Sequence, residues 1–224
     1  MVSNPIHWLG RSLRKLGTEL MRRSSIEGTW IDVGAHQGHM TLWDARHNPD
    51  LKVYAFEPNL RAASKLIGSA PNFLVIPMAV TETDGTADFY LNEFEPASSL
   101  LPLNEAGQRS WIGVHNHKVK SVVTVPTIRL DTFMDLTGIS EVDFLKVDTQ
   151  GMDLAVVRSA GRKLRSIAKV MLEVEIATPP LYTGAPSKEE VLNFFEDAGF
   201  RLQGVEKQTD GQEENLTFVR ISKA

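Results

Sequence analysis

Asp32, Gly34 and Gly38 close the apolar run in TWIDVGAHQGHMTLW (29–43), where they would open a loop between a buried strand and a helix. Glycine admits positive φ and carries no Cβ, so this spacing lets a ligand lie close to the backbone. In open α/β sheets ligands bind beyond the carboxyl ends of the strands. A dinucleotide fingerprint would read G-x-G-x-x-G, its middle glycine seating a pyrophosphate on the helix N-terminus. Here the pattern is Asp32-x-Gly34-x-x-x-Gly38, with His36 and Gln37 where small residues would be needed. An acid at the strand tip is a poor neighbour for two phosphates and suits a cation. S-adenosylmethionine carries an ammonium and a sulfonium and no phosphate, and it is the cofactor this charge pattern predicts.

VYAFEPN (53–59) supplies a second acid, Glu57, at the tip of the next strand. A carboxylate there can accept hydrogen bonds from both ribose hydroxyls, a device that nicotinamide and S-adenosylmethionine sites share. The plain alternative is a solvent-exposed loop acid. Asp148, ending VDFLKVD (142–148), would face the same cleft as a base or as a group orienting an acceptor. Its plain alternative is a cap on the following helix, worth ~1 kcal/mol. Glu173 and Glu175 end a further strand and are second candidates. Asp148 and Glu173 would also suit magnesium, although nothing in the sequence requires a metal. His115 and His117 could supply a base or half a metal site, or simply stand exposed. TPPLY (178–182) resembles the N-P-P-Y box of amino-group methyltransferases, but it follows the wrong strand and carries Leu181 as an insertion; it reads as a turn with a pocket-lining Tyr182.

Positioning these residues requires strands that end on one side of a sheet. Strand-like runs fall at 30–33, 52–56, 73–76, 142–147 and 169–174, with helix-like stretches at 38–47, 60–67 and 152–164. Alternating elements with nearly all-apolar strands predict a doubly wound parallel sheet covered on both faces. After a helix at 188–198, strands at 200–205 and 216–221 are joined by a polar loop too short for a helical crossover, so they should pair antiparallel. Between strands at 86–91 and 121–130 lies a long connection of the kind that forms lids or binding loops.

The chain has 224 residues, enough for one well-filled core, and a net charge of −4 that argues against nucleic acid as partner. It has no cysteine, which removes disulfides, thiolate metal sites and thiol nucleophiles. No apolar run reaches the ~20 residues of a membrane span, and the N-terminus lacks a secretory signal, so a soluble cytoplasmic protein is expected. Residues 1–28 read as an N-terminal amphipathic helical extension, with Leu9, Leu13, Leu16 and Leu20 on one face and Arg11, Arg14, Lys15, Arg22 and Arg23 mostly on others. Such a helix packs on its domain with a solvated basic face; a membrane surface is the alternative. Residues 29–224 form the expected cofactor-binding domain.

IDVGAHQGHMTL, VYAFEPN, SSL (98–100), IRLDTF, VDFLKVDTQGMDLAVVRSA and MLEVE resemble, in order and spacing, the FkbM-family methyltransferases. The likeness covers about 29–221, and its most specific piece is D-F-L-K-V-D-x-Q-G. The resemblance implies a Rossmann-like class I methyltransferase: a mostly parallel seven-stranded sheet with a C-terminal antiparallel hairpin. It also implies O-methylation of a hydroxyl on a sugar, glycan or small natural product. By the same resemblance Asp32, Gly34 and Gly38 surround the methionine moiety, and Glu57 holds the ribose between Phe56 and Pro58. Met78 and Ala79 sit by the adenine, Ser98 and Ser99 close over the cofactor, and Glu173 is the strand-end acid. Two positions depart from the family pattern: His36, where Asn is common, and Gly151-Met152-Asp153 in place of G-A-E. Both bear on the acceptor. A nicotinamide oxidoreductase, a non-catalytic cofactor-binding scaffold and a homodimer stay open as alternatives.

Overall fold

A computed structural model describes residues 26–112 and 117–221. The basic extension at 1–25 and His115 lie outside the described residues. Strands β1 (Gly28–Val33), β2 (Leu51–Phe56) and β3 (Phe73–Ile76) alternate with helices α1 (Leu42–His47) and α2 (Leu60–Leu66). A short β4 (Ala79–Val80), β5 (Gly85–Asn92), α3 (Glu105–Ser110), β6 (Val119–Ile128) and α4 (Leu130–Thr137) follow. The alternation resumes with β7 (Val142–Val147), α5 (Asp153–Arg158) and β8 (Ile167–Glu175), and the chain closes with α6 (Lys188–Asp197), β9 (Phe200–Gln208) and β10 (Glu213–Arg220).

Seven strands form one sheet in the order β3-β2-β1-β7-β8-β10-β9. The first five run parallel, and β10 lies antiparallel between β8 and β9, as the short polar connection demands. One face of the sheet buries Ile31, Val33, Phe56, Leu145, Val147, Val170 and Leu172, and the other buries Leu51, Val53, Ala55 and Phe73. Successive residues such as Ala55 and Phe56 can both be buried only when each sheet face carries its own layer. Chain direction reverses its spread between β1 and β7: β2 and β3 follow on one side, β7 and β8 on the other. Their carboxyl ends therefore splay and leave a crevice at that switch point.

Several boundaries differ from the sequence reading. Helix α1 begins at Leu42, because Gly38 has φ +72 and the residues around it form turns. The stretch 152–164 splits into α5 and a 3-10 segment at Gly161–Ser166. The strand expected at 121–130 ends at Ile128; Leu130 instead opens α4, which stops at Gly138 in the left-handed conformation. β4, β6 and β5 form a separate three-stranded sheet, unanticipated from sequence. The long connection holds a 3-10 turn at Glu95–Ala97 and α3, and it is pinned to the rest by two isolated bridges, Tyr90 to Ser99 and Leu103 to Tyr182.

Candidate active site

A cavity occupies the crevice, where sheets of this kind take small molecules. Val33, Gly34 and His36 from the end of β1 form one wall, and Phe56, Glu57, Pro58 and Asn59 from the end of β2 form the next. Met78, just before β4, and Ala79 and Val80 of β4 make an apolar side with Phe89. Asp148, Thr149, Gln150 and Met152, after β7, stand opposite. Glu95, Pro96, Ser98 and Leu100 of the long connection complete the lining.

Glu57 is fixed by its own backbone surroundings. One carboxylate oxygen accepts the His36 N–H at 2.7 Å, and the other accepts the Asn59 N–H at 2.8 Å. Burial pushes its pKa up, opposed by these two N–H donors. Each oxygen keeps a lone pair for a further donor. The pre-set carboxylate is thus suited to a vicinal diol. Gly34 has φ +77, and a Cβ there would lie 1.8 Å from the Asp148 carbonyl oxygen, so the β1 and β7 tips meet only because residue 34 has no side chain.

Not every residue expected at the site lines it. Asp32 is buried beneath the crevice, accepting the Thr41 hydroxyl at 2.5 Å and pairing with the Lys146 ammonium at 3.0 Å. A carboxylate buried this deeply needs a cation and a hydroxyl from the protein itself, which leaves it no ligand. Gly38 packs against Leu42 and Leu66. Ser99 also lies off the cavity: its hydroxyl donates to the Gln150 carbonyl at 2.7 Å, tying the long connection to the β7 tip. Its neighbour Ser98 lines the cavity, with its Oγ accepting the Asn92 N–H. Tyr182, expected to line the pocket, is a buried strut whose hydroxyl donates to the Ala97 carbonyl and contacts the Gln150 amide oxygen at 3.0 Å. His117 lies edge-on to Phe94 and Trp111, away from the cavity.

Lys146 is the group sequence reasoning missed. It is buried near the carboxyl end of β7 and donates to the Gly34 carbonyl at 2.7 Å, with Asp148 at 3.8 Å. Burial alone would lower its pKa, but Asp32 and Asp148 outweigh that and hold it above the ordinary lysine value. Its signal was present: one lysine inside the apolar run VDFLKV has to find a buried carboxylate.

Asp148 does not cap α5; the cap position is Met152, without a side-chain bond. Its side chain is 39% exposed and faces the cavity. The Gln150 amide donates at 2.9 Å to Asp148 and at 3.0 Å to Glu173. Glu173 therefore sits behind Gln150, beside Asp153, Glu175 and Glu213 in a small recess off the main cavity. Burial, reinforced by the charges of Asp148 and Glu213, holds Glu173 protonated well above the usual carboxylate range. Burial likewise pushes Asp153 and Glu175 up to about 7.

The charged side chains lining the main cavity are Glu57, Glu95 and Asp148; no Lys or Arg lines it among the described residues. A pyrophosphate would meet three carboxylates and no lysine or arginine there, whereas a sulfonium and an ammonium would be stabilised. The donor set fits S-adenosylmethionine. Residues 32–202 match the methyltransferase FkbM domain. The chain belongs to the FkbM methyltransferase family. It is 23% identical over 176 residues to 2-O-methyltransferase NoeI of Sinorhizobium fredii, covering 74% of this chain and 70% of that protein. It is 27% identical over 165 residues to hexuronic acid methyltransferase AglP of Haloferax volcanii, covering 72% of this chain and 62% of that protein. Among solved structures, TrmK of M. capricolum with S-adenosylhomocysteine shares the fold at TM-score 0.50 and 7% identity, covering 91% of this chain and 66% of that one. Like its family, this FkbM protein is a methyltransferase that uses S-adenosylmethionine. No helix among its described residues is long and apolar enough to cross a membrane.

Proposed function

We propose that this FkbM protein transfers the methyl group of S-adenosylmethionine to a hydroxyl of a sugar, a glycan or a small molecule carrying a comparable alcohol. The observation that carries this reading is the pair of carboxylates on opposite walls of one cation-free cavity: Glu57, pre-set for a diol, and Asp148, aimed at the space beside it. Glu57 would take the ribose hydroxyls, with Phe56 and Pro58 beside it and Met78 and Ala79 against the adenine. Gly34 lets the cofactor lie against the strand tips. Asp32, Gly38 and Ser99 would act indirectly, holding the loop and the connection that frame the site.

When bound, the cofactor supplies an electrophilic methyl on a sulfonium, whose sulfur leaves as a neutral thioether. Asp148 would accept the acceptor's hydroxyl proton as the new C–O bond forms and the C–S bond breaks. Gln150 holds one Asp148 oxygen, leaving the carboxylate oriented toward the acceptor. Glu173 reaches Asp148 only through Gln150, which donates to both, so it would act as a positioning group. Positioning of donor and acceptor can itself supply effective molarities of ~10⁵ M or more. The names of NoeI and AglP, a 2-O-methyltransferase and a hexuronic acid methyltransferase, support a carbohydrate hydroxyl as acceptor.

The test is methyl transfer from labelled S-adenosylmethionine across glycans, uronic acids, polyketides and simple alcohols. Label in an alkali-stable ether of a carbohydrate supports the reading. Label only in amines, or in base-labile esters, would replace it.

A further inference from the structure

His36 combines three observations that the cofactor site does not yet use. Its backbone is left-handed, with φ +44, a conformation in which a His is uncommon. Its N–H is clamped to Glu57 at 2.7 Å, so the residue cannot move without disturbing the ribose-binding acid. Its ring lines the cavity, and its Nε2 is a buried atom with no hydrogen-bond partner. A buried polar atom without a partner in the protein is costly, and a ligand atom is one way to satisfy it.

S-adenosylmethionine carries one group for which the rest of the lining offers no positive charge: the carboxylate of its amino-acid end. Glu57, Glu95 and Asp148 suit its cations and repel that anion. Lys146 is buried below, with its contacts taken by Asp32, the Gly34 carbonyl and Asp148. Both N–H groups of Gln150 are engaged with carboxylates, and the Thr149 hydroxyl donates to Asp153. His36 is the lining side chain that can gain positive charge. We propose that His36 is the anion-recognising residue of this pocket, its Nε2 donating to the carboxylate of the bound cofactor. This rests on the cofactor site as proposed above.

Several groups face the imidazole. Glu95 reaches it from the long connection, Asp148 from the β7 tip, Lys65 from α2, and His39 from its own loop. Burial lowers its pKa, against the opposing pull of Glu95. The ring is then neutral in the free protein at neutral pH, and a carboxylate arriving at Nε2 would draw a proton onto it. Binding of a ligand with that carboxylate should therefore take up a proton and tighten as pH falls.

The probes are S-adenosylhomocysteine and 5′-methylthioadenosine, which share the nucleoside and thioether but differ in the amino-acid end. Calorimetry on the wild-type protein between about pH 8 and about pH 6 should show affinity for S-adenosylhomocysteine rising as pH falls. The dependence for methylthioadenosine should be weaker, which separates His36 from Glu57 and Asp148. His36→Gly, which tolerates the left-handed backbone, should weaken S-adenosylhomocysteine about ten- to hundredfold and leave methylthioadenosine unchanged. His36→Asn should flatten the pH dependence. Equal losses for both ligands in His36→Gly, or an undiminished pH dependence in His36→Asn, would overturn the assignment. A wild-type protein that binds neither ligand would overturn the cofactor site itself, and this inference with it.

Discussion

The ammonium of Lys146 lies 3.0 Å from the Asp32 carboxylate, with side chains 4% and 1% exposed. An acid that looked from the sequence like part of a ligand pocket is therefore neutralised inside the protein, and the negative charge of the crevice comes from Glu57, Glu95 and Asp148 instead. Lys146 also holds the Gly34 carbonyl at 2.7 Å, so one side chain couples the first glycine loop to the strand that carries Asp148. Breaking such a pair leaves a buried uncompensated charge. Lys146→Met should destabilise the fold by about 3–5 kcal/mol in urea unfolding, and adding Asp32→Asn should recover part of the loss. A single variant within ~1 kcal/mol of wild type would show that the pair carries no such role.

Asp148→Asn preserves the shape and the oxygen that accepts from Gln150. It should leave S-adenosylhomocysteine affinity unchanged while lowering turnover by about 10²–10⁴-fold, the usual contribution of a general base. Full activity would remove Asp148 from the reaction.

Stability should fall as pH rises toward neutrality. In the unfolded chain Asp153 and Glu175 titrate near about 4. In the fold burial raises both to about 7. Between those values the native state holds protons that the unfolded state has released, so each rise in pH favours unfolding. Melting temperature should therefore be higher at about pH 5.5, inside that window, than at about pH 8, above it, and Glu175→Gln should flatten the difference. A melting temperature that climbs across this interval would contradict the protonated state of the recess.

Glu57→Ala should weaken S-adenosylhomocysteine by about 1.5–3 kcal/mol, because a hydrogen-bonded charged acceptor is lost from a buried site. Its fold should survive, since the His36 and Asn59 N–H groups that it holds lie at the cavity wall, where water can replace the carboxylate. An unchanged affinity would exclude Glu57 as the ribose ligand.

Much of this architecture was legible in the residues. β1, β2, β3, β7 and β8 announced themselves as short, mostly apolar runs, and the polar link before β10 was too short for anything but a hairpin. The capping box of α6, Ser187 with Glu190, is likewise written in sequence. Glu57 and Asp148 could be placed beside the crevice from sequence because they end strands. Asp32 was misplaced because its partner, Lys146, is distant in the chain and only the sheet register makes them neighbours: Asp32 lies beside Lys146 across the β1–β7 pairing. The small sheet escaped notice because β4 is two residues long, too short to leave a periodic pattern. Helix α4 was hidden by Leu130, which extends the apolar alternation of β6 by one step. Gln150 and Tyr182 were obscure for another reason: their work is hydrogen bonding between segments far apart in the chain, and side-chain type alone does not reveal a partner.

The most direct measurement is a crystal structure with S-adenosylhomocysteine bound. Ribose hydroxyls on the Glu57 carboxylate, the adenine against Met78 and Ala79 and the thioether sulfur facing Asp148 are the expected result. A nucleoside seated elsewhere, or a ribose turned away from Glu57, would contradict the site.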